Sequence, residues 1–297
     1  MNPFERATGA TATIDTPPNK AKLKVMVEGG NVVWDVYQDD ASFIQKNCGV
    51  LFEKIDTAKL GAAGIDRRFQ TNDCGVAAPV GAYVFAYNSD KYKADPPKGW
   101  SDFFDVKKYP GKRAVYNSVL TGILEMALLA DGVAADKLYP LDLDRAFRKL
   151  DTIRNNITWT QSTGALTEAF VNNQVDLALS FSGRTYNAAK AGAKVAVVPA
   201  QQILFWDNWA IPKGSKNKAA AEEYLRFVAQ PTQQAKLTEL SGYGNANGRA
   251  DPKIDPLVAE FLPLNGNARA TAVFQNMNWW AENLDMVNQR FVAWQSK

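Results

Sequence analysis

Short runs rich in β-branched and aromatic residues alternate with amphipathic stretches along most of this chain, and that alternation limits the fold more than any other feature. "ATATID" (10–15), "NVVWDVY" (31–37), "AYVFAYN" (82–88), "NITWTQ" (156–161), "VDLALSF" (175–181), "KVAVVP" (194–199) and "ILFWDNWAI" (203–211) read as strands. Helical patterns lie near 18–29, 40–47, 121–131, 142–154, 164–173, 184–191, 217–240 and 279–295. Asp142, for example, precedes Leu143, Ala146, Phe147 and Leu150, a spacing that buries one helix face. Interleaving of this kind predicts α/β layers on mostly parallel sheets. With 297 residues the chain has room for two domains or one large one. The run at 10–15 follows only a fragment of helix, so the first α/β unit is expected to lack its strand.

Composition removes several classes of function. The balance of 34 basic against 31 acidic residues gives a net charge of +3, spread along the chain, too weak an excess to argue for nucleic acid. No apolar run reaches the roughly 18 to 20 residues that span a bilayer, and the amino terminus lacks the regions of a signal peptide. There is no histidine, which removes the commonest general base and the commonest metal ligand. Cys48 and Cys74 form no C-x-x-C pair, and a metal site is not expected. They read equally as a disulfide or as two unpaired thiols. Phosphate-loop and G-x-S-x-G signatures are absent, and "GYGNANG" (242–248) is one residue too long for G-x-G-x-x-G. No cofactor is therefore expected. Asp39 and Asp40 read as solvated loop residues rather than an acid/base couple.

The stretch "LFWDNWAIPKGS" (204–215) sets one carboxylate among three aromatics. On a strand, alternation places Phe205, Asp207 and Trp209 on one face, with Trp206 and Asn208 on the other. A carboxylate between rings can receive an ammonium group through charge, hydrogen bonding and cation–π attraction. The competing reading is a core acid satisfied by the protein itself, and the two stand level. In "LALSFSGRTYNAAKAG" a strand passes straight into a helix, so Arg184 sits near a helix amino terminus at a strand's carboxyl end. Ligands of open α/β sheets bind at such places, and a guanidinium there suits a carboxylate. Pairing of Arg184 with a neighbouring acid is the alternative. Phe181 and Tyr186 flank it. Ser162 begins a helix in "QSTGALTEAF", where capping is the default role and an anion contact the lesser one.

Five long stretches resemble one family: "CGVAAPVGAYVFAYNSDKY", "ALLADGVAADKLYPLDLDRAFRKLDTI", "FSGRTYNAAKAGA", "WDNWAIPKGSKN" and "WWAENLDMVNQRF". Together they are similar, in order and over nearly the whole chain, to the polyamine-type solute-binding proteins of bacterial ABC importers, the spermidine/putrescine branch and its γ-aminobutyrate-binding relatives. The resemblance implies an α/β, two-lobed type II periplasmic binding protein fold. It places lobe one at 1–112 and 204–253, and lobe two at 113–203 and 254–297, with the solute between them and the first strand of lobe one missing from this chain. It also implies an exported, periplasmic protein whose signal peptide has been truncated away, a monomer that delivers its ligand to an ABC permease and ATPase. An oxidising compartment favours a Cys48–Cys74 disulfide.

Carried over by position, Asp207 matches the carboxylate that receives the ligand amine, while Phe205 and Phe181 match cleft aromatics. Arg184 matches an arginine of relatives that bind carboxylated amines, so a zwitterion is expected more than a bare polyamine. Two departures argue against spermidine itself. The helix "SVLTGILEMALL" lacks the acids used for a second ammonium group. Gly81 stands where relatives often carry Tyr or Trp, leaving one wall of the pocket smaller or open. An enzyme acting on an amine or amino acid, and the effector-sensing domain of a transcription regulator, are the rival readings.

Overall fold

A computed structural model describes residues 3–297. Contacts divide the chain into two compact units. One comprises Met1–Val80, Trp206–Thr238 and Asn245–Lys253; the other comprises Gly81–Phe205, Glu239–Gly244 and Ile254–Lys297. The strands are β1 (Tyr37–Asp40), β2 (Gly75–Asn88), β3 (Arg113–Tyr116), β4 (Ile157–Thr160), β5 (Leu177–Phe181), β6 (Val195–Val197), β7 (Ile203–Ala210) and β8 (Val273–Phe274). Both β2 and β7 run across the boundary between the units.

In the first unit, β1 pairs antiparallel with β7, setting Tyr37 opposite Ala210 and Asp40 opposite Asp207. One face of this ladder packs Leu23, Tyr37, Ile44, Leu51, Phe52 and Ala210 into a core; another core gathers Ile55, Val76, Ile211 and Leu225. Local capping fixes the helices around it. Asn19 accepts from Lys22 N at the start of helix Lys20–Glu28, and Asp40 accepts from Ser42 N and Phe43 N at the start of Ala41–Lys46. The expected single helix at 217–240 is two, Lys218–Ala229 and Pro231–Ser241, because Pro231 lacks the N–H that would continue the first. Gln234 is buried on the second of these. Its amide donates to Ala77 O at 3.1 Å and accepts from Ala246 N and Asn247 N at 2.8 Å each.

In the second unit β3 lies parallel to both β4 and β5, while β5 and β6 run antiparallel to β2. The parallel neighbour of β7 there is β8. The sheet is thus mixed, not mostly parallel as the alternation suggested, because β2 arrives from the other unit running against β5. Residues 81–112, which the resemblance put in lobe one, pack in this unit. Tyr83–Tyr87 ladder with Leu177–Phe181, and the fully buried Arg113 guanidinium donates to the carbonyls of Phe103 (2.6 Å), Tyr109 (2.8 Å), Gly111 (2.9 Å) and Asp105 (3.3 Å).

Two strand expectations near the front differ from the structure. Residues 10–15 carry no strand, and Ile14 is 78% exposed, so no apolar face exists to pair it. The strand expected at 31–37 begins only at Tyr37. β3 was not anticipated, because "RAVY" is too short to alternate visibly.

Cys48 and Cys74 form a disulfide with their Cα atoms 5.5 Å apart. Closing a loop of 26 residues stabilises the first unit by about 3.5 kcal/mol in the chain-entropy model. Replacing both cysteines by alanine should therefore lower the denaturation midpoint in urea, whereas adding reductant to that variant should change nothing further. An unaltered midpoint would show that the crosslink adds no constraint.

Candidate functional site

The antiparallel pairing of β1 with β7 decides the surroundings of Asp207. Gln38 lies two residues from Asp40 on the same face of β1, and its amide donates to Asp207 Oδ2 at 3.0 Å. This is the only hydrogen bond to the Asp207 side chain among the described residues, and no Lys or Arg there comes within ion-pair distance of it. The carboxylate is half-buried. Burial pushes its pKa up to about 7, the charges of Asp40 and Asp39 push the same way, and the Gln38 hydrogen bond and the Lys20 charge oppose them. It is an acid short of donors.

Its two acidic neighbours are differently placed. Asp40 accepts from Ser42 N (2.9 Å), Phe43 N (3.3 Å) and the Ser42 hydroxyl, and burial is the main cause that raises its pKa. Asp39 accepts from the Tyr37 hydroxyl at 3.1 Å and pairs with Lys20 Nζ at 3.1 Å. Neither is the free loop acid that the sequence suggested; both are committed to partners. Gln38, Asp39, Asp40 and Lys20 were not singled out as site residues, since nothing in "VYQDDASF" shows which strand it will pair with.

The aromatics of the first unit are core groups. Trp206 is 2% exposed and packs edge-on to Phe69, with ring centroids 5.3 Å apart. Trp209 is half-buried and meets Tyr224 at 5.2 Å.

In the second unit, Phe205, Tyr83 and Phe181 form one aromatic cluster. Tyr83 stacks on Phe205 at 4.5 Å, and Phe181 meets both rings edge-on at 5.1 and 5.8 Å. Phe205 is buried and Phe181 half-buried. The space above Gly81 is not open, as the resemblance suggested: a Cβ there would overlap the Phe205 ring. Gly81→Ala is accordingly expected to displace that ring and cost about 1 to 3 kcal/mol, readable as a lower melting temperature. A melting temperature equal to wild type would mean the ring has room to move.

Arg184 occupies the third position of helix Ser182–Lys190, which starts directly after β5. It is exposed, and among the described residues no carboxylate pairs with it. Tyr186 points into a different neighbourhood, buried beside Phe261 at 6.3 Å. Ser162 caps helix Thr163–Val171, its hydroxyl accepting from Ala165 N at 3.0 Å. The acid of "SVLTGILEMALL", Glu125, is fully buried and accepts from Tyr139, Trp280 and Gln275 at 2.6, 2.9 and 3.0 Å. Burial raises its pKa. Its role is to hold three elements together.

Comparison with known proteins adds to this geometry. The family model described as bacterial extracellular solute-binding protein matches residues 1–260. The gamma-aminobutyric acid-binding protein of Pseudomonas aeruginosa is 33% identical over 304 aligned residues, covering 100% of this chain and 86% of the relative. A solved GABA receptor structure is 36% identical with a TM-score of 0.89, covering 99% of this chain and 91% of that one. An ABC transporter substrate-binding protein from Bradyrhizobium japonicum is 33% identical with a TM-score of 0.91, covering 98% and 92%.

Proposed function

The chain belongs to the bacterial extracellular solute-binding proteins, and from that premise we propose that its solute is a small amine carrying a carboxylate, of the γ-aminobutyrate type, delivered to an ABC permease and ATPase. Proteins similar to it include a spermidine/putrescine-binding periplasmic protein and an ABC transporter substrate-binding protein. The enzyme and regulator readings gain no support from a similarity that runs the full length of the chain.

One observation carries the choice of ligand: Asp207 is half-buried with a single hydrogen bond and no cation of its own. An ammonium group supplies what it lacks. Arg184, exposed and unpaired on the second unit, has the chemistry to receive a carboxylate. The names of two similar proteins, which refer to γ-aminobutyrate, agree with these charges. Phe205 and Phe181 supply ring surface, while Trp206, Trp209 and Tyr186 support the framework. Ser162 keeps its capping role. The protein works as a monomer.

Calorimetric titration with γ-aminobutyrate, putrescine and spermidine tests this reading. Arg184→Met should weaken γ-aminobutyrate binding by about tenfold or more, as expected for a charge-assisted contact, and should affect putrescine far less. Equal losses for both ligands would remove Arg184 from carboxylate recognition.

A further inference from the structure

We propose that Lys20 is a specificity-determining residue: its ammonium group, held by Asp39 next to the Asp40–Asp207 pair, adds a fixed positive charge to the surroundings of Asp207 and so restricts the site to ligands with a single ammonium. This rests on the reading of Asp207 given above. Asp40 lies opposite Asp207, and Asp39, next to Asp40 in β1, lies opposite Asn208; three acids this near in the ladder would by charge alone suit a diamine. The contacts say otherwise. Asp40 is consumed by the amides and hydroxyl that open helix Ala41–Lys46. Asp39 is consumed by Lys20, whose Nζ lies 3.1 Å from Asp39 Oδ1 and 4.5 Å from the centre of the Phe43 ring.

A carboxylate on one side and a ring face on the other is the environment that the ligand's own ammonium would seek. Lys20 therefore stands as a tethered guest in a second amine position. Its charge reaches further as well, acting on both Asp40 and Asp207. A zwitterion brings no net charge to this field, whereas putrescine brings two positive charges and meets a third already in place. The chain thus discriminates between a mono-amine and a diamine without a steric barrier.

The test compares the ratio of γ-aminobutyrate to putrescine dissociation constants, by calorimetry at low ionic strength, in wild type, Lys20→Met, Lys20→Gln and Lys20→Arg. Removing the charge should shift the ratio toward putrescine by about tenfold, and both neutral variants should agree; Lys20→Arg should keep the wild-type ratio. Asp39→Asn, which leaves the ammonium and removes its partner, should shift the ratio the opposite way. A ratio within twofold of wild type in the neutral variants, or a wild type that already prefers putrescine, overturns the proposal. Failure of the underlying site is a separate result: γ-aminobutyrate binding that survives Asp207→Asn would show that this carboxylate is not the receptor.

Discussion

Replacing Asp207 by asparagine is expected to yield a protein that melts several degrees higher at pH 8 and no longer binds an amine. The two effects share one cause. In the unfolded chain this carboxyl ionises near 3.8, whereas burial and the neighbouring acids raise it to about 7 in the folded protein. Between those values the folded state holds a proton that the unfolded state has lost, so stability falls as pH rises through that window and stays reduced above it. Below pH 3.8 the group contributes nothing. The full difference corresponds to roughly 4 kcal/mol at 1.36 kcal/mol per pKa unit; partial exposure to solvent brings the expected gain of the asparagine variant to about 2 kcal/mol. Thermal melts at pH 4 and pH 8 check it: the variant should match wild type at the first and exceed it at the second.

Ligand binding should show the complementary dependence, because only the ionised carboxylate attracts an ammonium group. In wild type the affinity should drop about tenfold per pH unit below 7, with a proton released for each ligand bound at pH 6. A flat profile between pH 5.5 and 8 would mean that another group receives the amine.

Arg113→Met is expected to be the most destabilising single change, at about 4 kcal/mol, with a melting temperature lowered by roughly 10 °C. The side chain is fully enclosed and makes no ion pair among the described residues; its guanidinium donates to the carbonyls of Phe103, Tyr109 and Gly111 and shares that of Asp105 with Tyr109 N. Burial lowers its pKa, yet each hydrogen bond requires the charged fork. Removing it takes the side-chain donor from the carbonyls of Phe103, Tyr109 and Gly111 in the interior, which is costlier than losing the bonds alone. Arg113→Lys should rescue little, because one ammonium cannot span carbonyls on both sides of the turn at 103–111. A loss below 1 kcal/mol would indicate that water can replace the guanidinium.

The sequence revealed the helices of this protein better than its strand partners, for a physical reason. Helical spacing is local, so Leu143, Ala146, Phe147 and Leu150 announce their common face without knowledge of anything distant. Strand pairing is not local. Nothing in "VYQDDASF" indicates that Asp40 will lie opposite Asp207, and that register brings Gln38 onto the carboxylate. Asp207 drew notice because a lone acid among aromatics violates the ordinary pattern of a buried strand. Alternation and proximity to Arg184 placed Trp209 and Tyr186 on a common wall, but Tyr186 is buried beside Phe261 and Trp209, half-buried, packs edge-on against Tyr224. The disulfide could not be read from cysteine count, only from the family resemblance.

The amide of Gln234 joins Ala77 to the turn at 246–247. These segments are far apart along the chain, so a ribosome must deliver residue 247 before the first unit can close its interior. Until then the amino-terminal 80 residues are a half-finished core with its apolar side open. The first unit therefore completes its fold late in synthesis, after most of the chain has been made.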